Sequence, residues 1–341
     1  MRWTRGHVLG RGSSATVSAA TSTTGEVFAV KSAIISQSET LQREQQFLSI
    51  LDSPFVVAYK GCDITKENKN FMYNLMMQYM PGGTVIDAIT RQDGEKINEL
   101  QISNYTRRIL QGLVCLHSYG IVHCDIKGAN LLVDESGVKI ADFGCAKWAG
   151  EDVPVRGTPM FMAPEVARGD EQGFGADIWA LGCTVIEMAT GCSPWLNVND
   201  PVSVLYKIAY SGESPNIPGV FSNQAKDFIG KCLVQDPKAR WGATELLKHP
   251  FIERFGCEIG EDLWTESPTG ILDQYVWNEI RESELVGSDS IQPSCSSFSL
   301  RQRIEQLEGN SDKADSRWKM EEEINWMTIR CNGGGGEVGD D

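Results

Sequence analysis

His123-Cys124-Asp125-Ile126-Lys127-Gly128-Ala129-Asn130, followed by Leu131-Leu132-Val133 and then by Ile140-Ala141-Asp142-Phe143-Gly144, gathers two carboxylates, an ammonium and a side-chain amide around a short apolar run. The patterning differs on its two sides. Upstream, residues 6–35 alternate apolar and polar side chains, as in Val27-Phe28-Ala29-Val30, with a glycine-rich turn at Gly10 to Ser14, which predicts consecutive antiparallel strands. Helical spacing follows at Leu41, Phe47, Leu48 and Leu51, then Ser53-Pro54 as a breaker and an apolar strand at Met72 to Met77. After Pro81-Gly82-Gly83 the pattern turns helical, with Tyr105, Ile109, Leu113 and Leu116 on one face. Further helices are expected over Asp177–Thr190, Val202–Tyr210, Ala225–Leu233 and Thr244–Leu247. The fold class is therefore α+β: a small sheet-rich lobe over about residues 3–80 and a larger, mainly helical lobe over about 81–251.

With 341 residues, 41% of them hydrophobic and 23% charged, the chain can bury a core and has room for two lobes. Its formal charge of −15 is unevenly spread, because residues 257–341 hold 19 acidic and only 7 basic side chains. That surplus, a serine-rich run at 283–299 and the glycines at 333–336 predict an acidic, mostly disordered regulatory tail over 252–341. Ile271 to Ile280 and Trp318 to Ile329 have the spacing of amphipathic helices that could dock on a partner, and Ser267-Pro268 is a candidate proline-directed site. The charge balance argues against nucleic-acid or membrane partners. No apolar stretch is long enough to span a bilayer, no signal-peptide core follows Met1, and ten scattered cysteines lack paired metal spacing. Reduced thiols and a cytoplasmic or nuclear location are the expectation.

Gly10-Arg11-Gly12-Ser13-Ser14-Ala15-Thr16-Val17 lies between two predicted strands, where glycines let backbone N–H groups approach phosphate oxygens. Alone, a turn with two glycines is usually only a turn. Ala29-Val30-Lys31 on the next strand places an ammonium beneath that loop, and Glu44 on the following helix can pair with it and orient it.

Taken together, these segments resemble the glycine-rich loop, catalytic loop and metal-binding loop of protein kinases, in order and at the expected spacing. The resemblance implies a bilobal kinase fold that uses ATP and Mg²⁺. By it, Asp125 is the proton acceptor for the substrate hydroxyl, Lys127 steadies the γ-phosphate, and Asn130 and Asp142 hold the metal. Leu9, Gly10, Arg11, Gly12, Ser13, Ser14, Ala15, Val17, Ala29, Lys31, Glu44 and Leu132 would surround ATP. The hinge Met77-Gln78-Tyr79-Met80 would meet the adenine, with Met77 guarding the back pocket and the Met80 backbone bonding the base. His123 and Phe143 would stack with Leu48 to join the lobes, Glu165 would pair with Arg240, and Asp177 would brace the catalytic loop. Lys127 and Thr158, in Gly157-Thr158-Pro159, follow the serine/threonine rather than the tyrosine pattern.

Gly157 to Val166 and Asp177 to Met188, with Trp3-Thr4-Arg5-Gly6, are similar to MEKK-type MAP kinase kinase kinases, and the His-Cys-Asp loop with a serine-rich tail resembles a plant clade of them. That resemblance implies MAP kinase kinases as substrates, with downstream MAP kinases or tail-binding regulators as further partners, in stress or abscisic acid signalling. One departure stands out: Cys124 replaces the arginine that in most kinases receives an activation-loop phosphate. Residues 145–157 contain no serine, threonine or tyrosine. The expectation is a kinase that is competent without loop phosphorylation, with Glu151 or Asp152 as a source of permanent negative charge. Two alternatives accompany it: a pseudokinase or scaffold, suggested by Ala15 and Cys124, and redox control through Cys124 or Cys145.

Overall fold

The computed structural model describes residues 2–12, 15–91, 97–196, 198 and 200–253. All belong to one of the chain's two units, residues 1–293; the other, 294–341, lies outside the described residues. Ser13, Ser14, Ser267 and both candidate tail helices also fall outside them.

Five antiparallel strands form the first lobe: β1 (Trp3–Arg11), β2 (Thr16–Ser22), β3 (Val27–Ile34), β4 (Tyr59–Glu67) and β5 (Asn70–Gln78), in the order β1-β2-β3-β5-β4. The two-residue period of a strand sorts β3 into two faces. Phe28 and Val30 pack with Ala20 and Met76, against which Trp3 lies. Ala29 and Lys31 occupy the opposite face, where the register sets Ala29 beside Ala19 and Met77, and Lys31 beside Val17 and Leu75. The expected nucleotide residues Val17, Ala29, Lys31 and Met77 thus share one side of the sheet. Helix α1 (Glu39–Ile50) follows β3 and buries Leu41, Glu44, Phe47 and Leu48.

The link to the second lobe depends on close backbone approach. Gly82 N–H donates to the Val133 carbonyl (2.9 Å) and Val133 N–H to the Gly83 carbonyl (2.8 Å). A Cβ on Gly82 would collide with that Val133 oxygen, so only glycine fits there.

The second lobe holds α2 (Val85–Arg91), α3 (Glu99–Ser118), α4 (Pro164–Arg168), α5 (Phe174–Thr190), α6 (Pro201–Tyr210), α7 (Asn223–Cys232), α8 (Ala243–Leu246) and α9 (Pro250–Glu253). Helix α3 starts where Asn98 accepts from Gln101 N–H (2.8 Å), a side-chain cap. Its buried face runs through Ile102, Ile109, Leu113 and Leu116. Tyr105 sits at the margin of that face rather than in it, because its hydroxyl accepts from Gln101 Nε2 (2.9 Å). Helix α5 is buried almost all round, as befits the axis of a helical lobe.

Two short antiparallel pairs carry the chemistry-bearing stretch. Strands β6 (Ile121–Val122) and β9 (Lys147–Trp148) pair, as do β7 (Leu131–Asp134) and β8 (Gly137–Ile140). Residues 123–130 therefore hang between β6 and β7, and 142–146 between β8 and β9.

Candidate active site

Asp177, fully buried in the first turn of α5, organises the loop that follows β6. Its Oδ2 accepts from His123 N–H and its Oδ1 from Cys124 N–H, both at 2.9 Å. The His117 imidazole, 3.0 Å from Oδ2, shares the carboxylate. Cys124 adopts a left-handed conformation (φ 68°), which costs a non-glycine residue roughly 1–3 kcal/mol. The buried carboxylate offsets that strain by satisfying two adjacent amides. The His123 Nε2 lies 3.1 Å from the Ala141 carbonyl, and its ring meets Phe143 edge-on at 5.0 Å. Both rings and Leu48 are buried, and α1 packs on the Phe143–Cys145 turn.

Asp125 is surrounded by donors. Its Oδ2 lies 2.9 Å from Lys127 Nζ and 2.9 Å from Asn130 Nδ2. Its Oδ1 accepts from the Thr158 backbone N–H (3.0 Å) and from the Thr158 hydroxyl (2.7 Å). Lys127 Nζ donates to that same hydroxyl (2.6 Å). Thr158 thus presents an alcohol to the carboxylate. Asn130 Nδ2 also donates to the Asp125 carbonyl (2.8 Å), which fixes the amide and leaves its oxygen free of that contact.

Lys31 Nζ reaches Glu44 Oε2 (2.7 Å) on α1 and Asp142 Oδ1 (2.9 Å) after β8, so one ammonium ties the sheet, the helix and the second loop together. Burial pushes the lysine toward neutrality, but the two carboxylates outweigh it and raise its pKa, so it stays charged. Burial also pushes the Glu44 carboxyl up to about 6, against the pull of Lys31 and with help from Asp142. Burial acts on Asp142 the same way, yet Lys31 and His123 prevail and hold it below the usual carboxylate range.

The Asp142 side chain is 45% exposed and its backbone is left-handed (φ 63°), and Asn130 keeps an amide oxygen. These are hard oxygen donors of the kind Mg²⁺ takes. Among the described residues no group of three His, Cys, Asp or Glu could hold a metal alone, so the ion fits here only with phosphate oxygens completing its shell, as is usual for Mg²⁺.

On the nucleotide side, Met77 and Met80 are buried, Leu9 is exposed at the strand edge, and Leu132 bridges to Thr84. Gly10 and Arg11 pair with Val17 and Thr16, and Gly12 N–H closes the loop onto the Ala15 carbonyl (2.9 Å). The Gln78 side chain turns to Lys139 (2.9 Å) and Asp134 (3.4 Å). Glu44 stands behind Lys31 and acts through it. Away from the cleft, Glu165 and Arg240 form a buried bidentate pair (2.7 and 3.0 Å).

Cys124 and Cys145 offer little to redox control. Cys124 is buried and its thiol is pushed far up by burial and by Asp177; the Cys145 thiol is pushed up by burial and by Asp125. Neither carries the depressed pKa that a reactive thiol needs.

Several contributors escape a reading of the sequence. Glu187 accepts from Gly128 N–H (2.8 Å), and His117 shares Asp177. Lys147, 5% exposed, donates to the Glu151 carbonyl (3.1 Å). Gln172 holds Arg156 by its backbone (2.9 and 3.4 Å), while Arg156 Nη1 is buried with no hydrogen bond among the described residues. Glu187, Lys147 and Arg156 lie in stretches that the sequence singles out, but nothing in their spacing points to these partners.

A family model described as protein kinase domain matches residues 3–252. The chain is 53% identical over 294 residues to mitogen-activated protein kinase kinase kinase 18 of Arabidopsis thaliana, covering 83% of this chain and 86% of that protein. It is 48% identical over 303 residues to mitogen-activated protein kinase kinase kinase 17 of the same plant, covering 86% and 81%. Mitogen-activated protein kinase kinase kinase A of Dictyostelium discoideum is 38% identical over 288 residues, 80% of this chain and 30% of that protein.

Proposed function

The chain belongs to the protein kinase family, and from that membership we propose that it transfers the γ-phosphoryl group of ATP to activation-loop serines or threonines of MAP kinase kinases. It is a serine/threonine kinase of the MAP kinase kinase kinase group. The observation that carries the catalytic reading is the Asp125 carboxylate, which accepts an alcohol at 2.7 Å while Lys127 donates to the same oxygen at 2.6 Å.

In this reading the substrate hydroxyl oxygen attacks the γ-phosphorus in line as its proton passes to Asp125 Oδ1. The bond from the γ-phosphorus to the bridging oxygen breaks, and ADP leaves. Lys127 steadies the transferring phosphoryl group, and Lys31, fixed by Glu44, holds the other phosphates. Val17, Ala29, Met77, Met80 and Leu132 supply apolar walls for the adenine. Mg²⁺, held by Asp142 and Asn130 with phosphate oxygens, would neutralise charge on the phosphates.

The pseudokinase alternative is not favoured, because Lys31 holds both Glu44 and Asp142, and Asn130 holds Asp125, so each expected catalytic group is present and engaged. The likeness to a plant clade supports stress or abscisic acid signalling as the setting, and the acidic balance supports protein partners rather than nucleic acid or membrane. No helix among the described residues is long and apolar enough to cross a membrane, and cytoplasm or nucleus is the proposed location.

The test is phosphate incorporation into a panel of inactive MAP kinase kinases by wild type, Lys31→Met and Asp125→Asn. Loss of a catalytic base costs about 10²–10⁴-fold. Equal incorporation by wild type and Asp125→Asn would defeat the proposal.

A further inference from the structure

Glu151 is the acidic residue of the activation segment that the fold has already committed. Its Oε2 accepts from the Trp148 backbone N–H (3.0 Å), its Oε1 lies 3.9 Å from Arg43 Nη1, and its carbonyl accepts from Lys147 Nζ (3.1 Å). Asp152, its neighbour, is exposed and makes no hydrogen bond or ion pair among the described residues.

Arg43 and its i+4 neighbour Phe47 lie on one side of α1; the Phe47 ring meets Trp148 of β9 in a tilted contact at 5.4 Å and Arg43 meets Glu151, so β9 and the residue bonded to it touch the helix at two points a turn apart. Glu44, the residue after Arg43, holds Lys31. An outward swing of α1 that freed Lys31 would have to break the Glu151 and Trp148 contacts as well. Arg43 lies beside the Glu151 carboxylate, while Lys147 is held by the Glu151 backbone carbonyl. Cys124 supplies no cation of its own, and residues 145–157 supply no hydroxyl to phosphorylate.

We propose that Glu151 is a positioning residue: it binds β9 to α1, and so keeps Glu44 on Lys31, in the role an activation-segment phosphate would otherwise play. The proposal rests on the kinase reading above and deepens it. The switch is thereby built in, and the segment stays ordered without modification. Loss of one charge-assisted hydrogen bond is enough to change a population or a rate about tenfold.

The experiment uses phosphatase-treated full chain and measures kcat, KM for ATP and melting temperature with a MAP kinase kinase as substrate. Variants are Glu151→Ala, Glu151→Gln, Asp152→Asn, Arg43→Glu, the swap Arg43→Glu with Glu151→Arg, and Asp125→Asn as the inactive control. Glu151→Ala is expected to lower kcat/KM about tenfold. Asp152→Asn should leave it within about twofold, as exposed charges usually do. The swap restores the opposite-charge pair but not the acceptor for the Trp148 N–H, so it should recover part of what Arg43→Glu loses, a rescue that general loss of folding would not give, and it keeps the test sharp if Glu151→Ala folds poorly. Wild-type kcat/KM in both Glu151→Ala and Glu151→Gln, or failure of the swap to recover any activity, would overturn the proposal. So would inactivity of the phosphatase-treated wild type where the untreated protein is active. Untreated wild type no better than Asp125→Asn would instead remove the kinase reading, and this proposal with it.

Discussion

Gly157 lies directly against the carbonyl oxygen of Cys124, so close that a Cβ on it would collide with that oxygen. Its φ of 118° is also one that side-chain-bearing residues avoid. The two residues join the activation segment to the catalytic loop, and Thr158 next to Gly157 makes both its contacts to Asp125 from that foothold. Gly157→Ala must therefore shift one loop or the other. A loss of roughly 1–3 kcal/mol in stability is expected, with a larger fall in kcat than in substrate affinity. Thermal melting and steady-state kinetics check both parts.

The Thr158 hydroxyl accepts from Lys127 and donates to Asp125, so it aligns the two groups that would handle the substrate alcohol. Thr158→Ala removes that link and leaves Lys127 with only the carboxylate. A kcat reduced about tenfold is expected, the effect of losing a charge-assisted hydrogen bond. Thr158→Ser keeps the oxygen and should stay close to wild type. Equal loss in both variants would assign Thr158 a packing role instead.

Legibility of the sequence tracked how locally each feature is encoded. The Asp125, Lys127 and Asn130 cluster could be read because its members lie within six residues of one another and their chemistry is rare in that combination. Helices α5 and α6 could be read because their apolar period repeats over several turns. Strands β6 and β9 could not, since two residues hold no period; they exist only because each finds the other's backbone. Tyr105 was misplaced because its spacing fits the α3 face as well as Ile102 does, and only the hydroxyl's partner separates them. Glu187 and Gly128 lie 59 positions apart in the chain, and Arg43 and Glu151 farther still, so no spacing rule could join them. Cys124 is the mixed case: the sequence marked it as a missing cation, and the fold then placed Arg43 beside the Glu151 carboxylate.

Arg240 is bonded on every side by acceptors: Glu165 through two contacts, Gly175 O at 2.6 Å and Val234 O at 3.0 Å, with the Trp179 ring 5.2 Å from its guanidinium. Removing it leaves the buried Glu165 carboxylate without its cation. Breaking such a pair from one side costs about 3–5 kcal/mol, so Arg240→Ala should melt far below wild type. Replacing both partners with apolar residues of similar volume should be much milder, because no charge is then left buried. Thermal denaturation of Arg240→Ala and of the double replacement separates these outcomes.

Glu44 gives the site an acid limb whose direction differs for activity and for stability. Its carboxyl, raised from an ordinary 4.5 to about 6 by burial, must be ionised to hold Lys31 as a cation pair. As pH falls through about 6, Glu44 takes up a proton, Lys31 is less firmly held, and kcat/KM for ATP should fall with a one-proton slope. The stability term has the opposite sign. Between the unfolded value and about 6 the folded protein binds a proton the unfolded chain does not, so this group's contribution is fully present below 4.5 and is lost as pH rises through about 6. Asp142, held below the carboxylate range by Lys31, contributes the reverse dependence but at lower pH, where its stabilisation disappears as it becomes protonated. Glu44→Gln removes the titrating group, so its residual activity should show no one-proton limb near pH 6, and its melting temperature should lose the decline that the wild type owes to Glu44 in that window. A wild-type acid limb that persists unchanged in Glu44→Gln would assign the titration to another group and leave Glu44 ionised throughout.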